Sequence, residues 1–239
     1  MPRYDSAEKV SVAVFTTNGT FQAPPNVTTV YVTLVGGGGG GQAGSNSAVG
    51  GGGGSSGAII KCPVFLKPSE QISITVGATG SIGVIILGNG SAGGTTFFGP
   101  YLYQVGGSGG NTGGGGGSSG GPTTVAPAAV GSGVSQLVGV GSWAGVTTGS
   151  VSYAIGGAQG SSAFSSINAG SAGYPFTAGV GFGGGAGSIF GSGGDVVTNN
   201  IGKSGTGYGA GGGGGGNGGV NGFNGGSGSA GLCVIEWGL

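Results

Sequence analysis

Residue types that could carry catalytic chemistry are scarce in this chain, and no motif groups them. There is no histidine, so a serine triad in its usual form is excluded. General acid–base catalysis needs a positioned pair of titratable groups, and nothing in the sequence pairs the five acidic residues. They are Asp5, Glu8, Glu70, Asp195 and Glu236. The sequence therefore predicts a protein that is not an enzyme and that uses no cofactor.

Two glycine motifs match nucleotide-binding patterns in spacing only. The G-x-G-x-x-G at 179–184 lacks the strand-then-helix context that a dinucleotide site requires. The G-K-S at 202–204 resembles the end of a phosphate-binding loop, but Val197 stands where the first glycine of that loop should be. In a chain with 71 glycines such matches arise by chance, so neither is interpreted as a nucleotide site, and the segment 202–204 is interpreted as a polar turn.

The two cysteines, Cys62 and Cys233, do not form a metal-binding pattern. They are far apart in the sequence, and no histidine is present to join them as a ligand. Both fall in segments that we interpret as strands near the two chain ends. The sequence favours two buried thiols over a long-range disulfide, because a single pair of cysteines shows no disulfide framework.

Isolated aromatic residues in the middle of the chain are the candidates for a binding site. Segment 122–200 has shorter glycine runs and more Ser, Thr and Ala than its surroundings. Exposed aromatic side chains beside neutral hydrogen-bonding groups can hold a sugar or a loop of another protein. The alternative is that they fill small local cores in a chain that is short of apolar side chains. The receptor-binding candidates are Trp143, Tyr153, Phe164, Tyr174 and Phe176.

The overall composition excludes several classes of protein. Only 4% of the residues are charged and the net charge is zero, so the chain is not a disordered polyelectrolyte. The five basic residues are scattered, which excludes a nucleic-acid interface. The sequence contains no run of 18 apolar residues, so no membrane span is predicted. The first ten residues, MPRYDSAEKV, have no apolar core, so no signal peptide is predicted.

Short apolar segments with a period of two predict β-strands, and no segment has a helical period. The alternation is clearest at 30–35 and 72–76, and we expect the segment 232–237 to return and pair near 30–35. An Asn-Gly pair at 18–19 and a Gly-Pro pair at 99–100 indicate tight turns. The predicted strands are Val10–Phe15, Thr20–Gln22, Val30–Val35, Ala58–Leu66, Ile72–Val76, Val84–Leu87 (a short buried run), Thr95–Phe98, Tyr101–Val105 and Leu232–Trp237.

The glycine runs need an ordered structure of their own, because glycine loses the most backbone freedom on folding. Collagen is excluded, since no strict Gly-X-Y period is present. Polyproline-II helices that pack side by side and bond through their backbones are one possibility; glycine-rich strands with tight turns are the other. The runs are Gly36–Gly41, Gly50–Gly54, Gly113–Gly117 and Gly211–Gly216.

Four segments in this order resemble the glycine-rich domain found at the ends of many bacteriophage tail-fibre proteins. They cover roughly the first 110 and the last 35 residues, while the middle is similar in composition only. The segments are VFTTNGTFQAPPNVTTVYVTLVGGGGGG (14–41), QISITVGATG (71–80), GGTTFF (93–98) and GSGSAGLCVIEWGL (226–239).

The resemblance implies an all-β fold with essentially no α-helix, in which β-sandwich-like strands at both chain ends enclose an extended glycine-rich body. We expect an N-terminal arm at 1–12 and one glycine-rich domain at 13–239. Within that domain, 13–110 and 205–239 form the family-like scaffold and 122–200 a loop-rich middle segment. Family members often carry this domain after a long shaft, and its position near Met1 predicts a separate tip, a small accessory fibre or a decoration subunit.

The same resemblance implies a virion protein, made in the host cytoplasm and released by lysis without a signal peptide. We expect a fibre or tail-tip adhesin that contacts the host surface, with a capsid decoration, head-fibre or collar protein without a receptor as the alternative. Expected partners are other virion proteins and a host glycan or outer-membrane protein, and the expected assembly is a homotrimer or attachment to a trimeric fibre. An ice-binding or matrix protein is a third class, but the flat Thr or Ala array that ice binding needs is not seen.

Overall fold

The computed structural model describes residues 10–45, 50–85, 88–110, 184–185, 187–195, 199–216 and 222–238, together with the backbone of three strands at 122–124, 136–139 and 160–161. The described part is all-β and contains no α-helix. Its strands are β1 (Ser11–Phe15), β2 (Gly19–Gln22), β3 (Thr29–Val35), β4 (Ala58–Phe65), β5 (Gln71–Thr75), β6 (Thr96–Phe98), β7 (Leu102–Gln104), β8 (Pro122–Thr124), β9 (Gln136–Gly139), β10 (Gly160–Ser161) and β11 (Leu232–Trp237).

The strands form two antiparallel sheets that pack face to face. One sheet has the order β1-β11-β3-β4-β9-β10 and the other the order β2-β5-β6-β7-β8. Strand β5 shows why they pack, because its Ile72 and Ile74 are buried while the residues between them are exposed. Each fully buried side chain of this size contributes roughly 1.5–3 kcal/mol. The core includes Phe21, Val30, Val32, Leu34, Ile59, Ile72, Ile74, Phe98, Leu102 and Ile235.

The predicted return of the C-terminal strand is confirmed, because β11 lies between β1 and β3. The two cysteines are buried free thiols, as the sequence favoured. Cys233 stands opposite Leu34 and Cys62 opposite Val32, so strand β3 separates them. Strands two apart lie roughly 9.5 Å from each other, beyond the reach of a disulfide. Burial raises the pKa of both thiols, that of Cys233 to about 12.

Of the two predicted turns, one joins a hairpin and the other does not. The Gly99-Pro100 turn connects β6 to β7, which pair directly. The Asn18-Gly19 turn instead carries the chain from one sheet to the other, since β1 pairs with β11 and β2 with β5. The Asn18 side chain accepts a hydrogen bond from the Val76 backbone at 2.8 Å and so ties this crossing to the end of β5.

Beyond the sheets the glycine-rich segments form a bundle around residues 36–44, here called the central segment. Its backbone N–H groups donate in turn to three different neighbours, with a repeat of three residues. Gly37, Gly40 and Ala43 donate to segment 88–94, and the two residues between them donate to segments 222–229 and 50–56. A repeat of three is the signature of a polyproline-II helix, and no residue of the central segment has a positive φ.

The carbonyl groups of the central segment show the same period toward three further neighbours. Gly38 and Gly41 accept from segment 77–83, Gly37 and Gly40 accept from segment 105–110, and Gly39 accepts from segment 210–216. The central segment is therefore hydrogen-bonded to six surrounding segments. This arrangement is a polyglycine-II bundle, and it decides between the two structures that the sequence allowed for the glycine runs at 36–41, 50–54 and 211–216. The run Gly113–Gly117 lies outside the described residues.

Glycine is required in the bundle because backbones approach one another too closely for a side chain. A β-carbon on Gly37, Gly38 or Gly39 would collide with the carbonyl oxygen of Ala78, Ala210 or Ser108, respectively. The atoms that collide belong to backbone and cannot rotate away. Residues with side chains are therefore restricted to the outer surface, to the two ends and to a few positions with a dedicated partner.

Buried hydroxyl groups lie where the sheets join the bundle. Thr96 Oγ1 accepts from the Gly77 N–H at 2.9 Å and donates to the Val35 carbonyl at 2.6 Å. Ser56 Oγ accepts in the same way from the Gly36 N–H at 2.8 Å. At this junction the hydrogen-bonding period changes from two to three, and these side chains bond backbone groups that would otherwise be buried without a partner.

Stability is expected to fall at both acidic and alkaline pH through the Glu70–Tyr101 pair. The Tyr101 hydroxyl donates to Glu70 at 2.6 Å, which lowers the pKa of Glu70 below its ordinary 4.5 and raises the pKa of Tyr101 to about 12. The Glu70 contribution is complete above pH 4.5 and is lost as the pH falls through its lowered pKa. The Tyr101 contribution is complete below pH 10 and is lost as the pH rises toward 12.

Urea unfolding across this pH range checks the expectation, with Tyr101→Phe as the control. It removes the alkaline limb and reduces the acidic one, because the Lys67 N–H still donates to Glu70 at 2.8 Å. The change should be modest, because both groups are only partly buried and solvent screens them. An identical pH profile for the variant would contradict the assignment.

A candidate binding site at the distal end of the glycine bundle

The end of the bundle that lies away from the sheets is built from chain reversals. The central segment leaves β3 at Val35 and runs away from the sheets, so residues 43–44 mark the distal end. At this level Ala43 bonds to Gly88 and Gly44 bonds to Phe223. The chain thus reverses there between 44 and 50, between 83 and 88 and between 216 and 222. At roughly 3.1 Å per residue, the distal end lies about 25 Å from the sheets.

Exposed aliphatic side chains cluster at this end and form what we call the distal apolar patch. Asn224 connects its two halves: its side-chain oxygen accepts from the Ile85 N–H at 2.9 Å, and its carbonyl accepts from the Gly202 N–H at 2.9 Å. Val84 is 60% exposed and Ile201 is 53% exposed. The patch comprises Ile82, Val84, Ile85 and Ile201.

The patch corrects the prediction that Val84–Leu87 is a short buried run, at the two of its residues that the structure describes, Val84 and Ile85. Val84 and Ile85 are exposed and lie in a reversal between two bundle segments. The physical reason is the close packing of the bundle, which leaves no interior space for an aliphatic side chain. A short apolar run between glycines at 83 and 88, without alternation, is the signal that could have indicated an exposed loop.

The distal end carries almost no charge. Lys203 and Asp195 are the only charged residues that the structure describes near it, and they pair at 3.1 Å. The pair is exposed to solvent and contributes little stability. The remaining surface presents aliphatic groups and side-chain amides, which suits a ligand that is itself uncharged.

Two side-chain amides fix the bundle just below the patch. Gln42 is buried in the central segment, and its Oε1 accepts from the Gly51 N–H at 3.1 Å. Its Nε2 donates to Asn89 Oδ1 at 3.4 Å. Gln42 thus links two segments that flank different distal reversals and holds them at a fixed separation.

The described residues at the distal end form a contact surface of aliphatic and amide side chains. No group of three or more metal-ligating side chains exists within the described residues. A search of the same residues finds no helix with the length and apolarity to cross a membrane. The aromatic candidates Trp143, Tyr153, Phe164, Tyr174 and Phe176 lie outside the described residues, so their relation to the patch stays a prediction.

Comparison with known proteins identifies the family to which the scaffold belongs. No curated protein is significantly similar to the chain. A family model described as a glycine-rich domain matches residues 16–238, which include every strand except β1 and every segment of the bundle. The chain therefore belongs to the glycine-rich domain family.

Proposed function

We propose that this protein is a bacteriophage virion structural protein, a fibre or tail-tip adhesin that contacts the host cell surface. The resemblance of the segments at 14–41, 71–80, 93–98 and 226–239 to tail-fibre glycine-rich domains supports the virion role. The observation that carries the adhesive role is the distal apolar patch. A rigid, hydrogen-bonded scaffold holds it about 25 Å from the sheets and leaves it uncovered among the described residues.

The patch is suited to a neutral partner on the host surface. Transfer of exposed aliphatic groups out of water is favourable and would stabilise a complex. The surrounding side-chain amides can form hydrogen bonds to backbone or sugar groups. An outer-membrane protein loop or a surface glycan fits this chemistry. The sheet end then serves for attachment to other virion proteins, as a homotrimer or on a trimeric fibre.

Binding of the purified, fluorescently labelled protein to a panel of bacterial cells tests the proposal. Ile201→Lys places a charge in the patch and is expected to weaken saturable binding about tenfold or more. Val12→Lys is the matched control, because Val12 on β1 has the same 53% exposure but lies in the sheet sandwich. Trp143→Ala and Tyr174→Ala, tested alongside, report on the aromatic candidates.

Two results would contradict the adhesive role. Equal loss in Ile201→Lys and Val12→Lys would move the contact away from the distal end. Absence of binding to every strain that the source virus infects would favour the alternative, a capsid decoration, head-fibre or collar protein, and immunolabelling of intact virions would then place it on the capsid.

A further inference from the structure

The outer face of the five-stranded sheet carries two neighbouring aromatic rings on a surface without charge. Phe97 on β6 is 39% exposed, and Tyr103 on β7 stands directly opposite it. Their ring centroids are 5.7 Å apart and their planes differ by 33°. The rings face away from the core, because Phe98 and Leu102 on the same strands point inward and are buried.

The register aligns the rings with hydroxyl and amide side chains. Thr75 lies opposite Phe97, so Thr75, Phe97 and Tyr103 form one row across three strands, about 10 Å long. All the other outward residues of β2 and β5 are exposed and polar, and none is charged. They are Thr20, Gln22, Gln71 and Ser73.

We infer that this face is a binding site for a neutral saccharide chain. The faces of aromatic rings carry partial negative charge, and the C–H groups on one side of a hexose ring are complementary to them. The rim of a hexose carries hydroxyls that both donate and accept, as do Thr and Gln side chains. Within the described part of the chain, no hydrogen bond of the Tyr103 hydroxyl is found, so this group can bond to a ligand.

The absence of charge argues for a saccharide over the other polymers. Phosphate backbones and anionic polysaccharides require Lys or Arg, and none is present on β2, β5, β6 or β7. Protein interfaces usually centre on a larger apolar cluster, whereas here hydroxyls and amides outnumber the two rings. A row of rings and hydroxyls across three strands fits an extended sugar chain.

This site is separate from the distal apolar patch and does not depend on the proposed adhesive role. Thr96, next to Phe97 in sequence, bonds to Val35 and Gly77 at the junction between sheets and bundle. Phe97 therefore lies beside this junction, about 25 Å along the bundle from the distal end that carries Ile201. A variant in one site should leave the other unchanged, which keeps the two proposals distinguishable.

Native affinity electrophoresis of the full chain tests the inference, with gels that contain dextran, mannan or galactan, and heparin as the anionic polymer. We expect at least one neutral polymer to retard the protein, with the free disaccharide of that polymer as competitor, and heparin to have no effect. Phe97→Ala should weaken the affinity about tenfold. Tyr103→Phe, which keeps the ring, should weaken it less than Tyr103→Ala.

Phe65→Ala is the matched control, because Phe65 is 54% exposed and lies on β4 in the other sheet. Its affinity should equal that of the unmodified chain, and the melting temperature of each variant shows whether it folds. The inference is overturned if none of the neutral polymers retards the protein. It is equally overturned if Phe65→Ala weakens retardation as much as Phe97→Ala.

Discussion

Replacing Gly39 with alanine is expected to lower the free energy of unfolding by about 4 kcal/mol. Gly39 lies in the middle of the central segment, where its N–H bonds to Gly54 and its carbonyl accepts from Gly212. A β-carbon there would overlap the Ser108 carbonyl oxygen and lie 2.5 Å from its carbonyl carbon. Three hydrogen-bonded segments would have to separate to make room, and each shift would lengthen several bonds.

Urea unfolding followed by circular dichroism measures this effect, and thermal unfolding should show a decrease of about 8–16 °C for a chain of this size. Gly19→Ala is the matched control, because its β-carbon would meet only the Phe15 ring, at 2.9 Å, and a side chain can move aside. The control should change stability by less than about 1 kcal/mol. Similar losses in both variants would contradict the role of backbone collisions in the bundle.

The sheets could be predicted from the sequence because their side chains carry a pattern. Alternation in β3 and β5 identified both strands, and the apolar C-terminal segment identified the partner of β3. The order of segments in the bundle could not be predicted in the same way. Glycine has no side chain to mark a face, so the backbone alone selects the six neighbours of the central segment.

The distal patch was missed for a related physical reason. In ordinary globular proteins a run such as Val84–Leu87 is buried, since apolar side chains find space in the core. Here the core of the bundle consists of backbone, and the space for aliphatic side chains lies between the two sheets. Large apolar residues within glycine-rich segments must therefore point outward or lie in the reversals, as Ile82, Val84 and Ile85 do.

Because the interior of the bundle is backbone and the reversals carry the side chains, substitutions are tolerated in the reversals and not in the interior. A substitution in a distal reversal such as that at Val84 changes a surface and leaves the hydrogen bonds of the central segment intact. A substitution at Gly38 disrupts contacts with backbone on several sides. For the adhesive role that we propose, this arrangement would let the residues of the distal apolar patch change without loss of stability.

Replacing Thr96 with valine is expected to lower the free energy of unfolding by about 3 kcal/mol, although the two side chains have nearly the same shape. The Thr96 hydroxyl is fully buried, accepts from the Gly77 N–H and donates to the Val35 carbonyl. Valine fills the same space but leaves the Gly77 N–H without its partner and removes the bond to the Val35 carbonyl. An unsatisfied buried donor or acceptor costs about 1–3 kcal/mol.

Urea unfolding compares Thr96→Val with Thr75→Val, which lies on the same sheet but is exposed and should change stability by less than about 0.5 kcal/mol. Thr96→Ser keeps the hydroxyl and should recover most of the loss. Equal stability of the two valine variants would mean that water reaches the junction. A specific loss at Thr96 would show that the change from a two-residue to a three-residue hydrogen-bonding period depends on a side chain that completes both patterns at once.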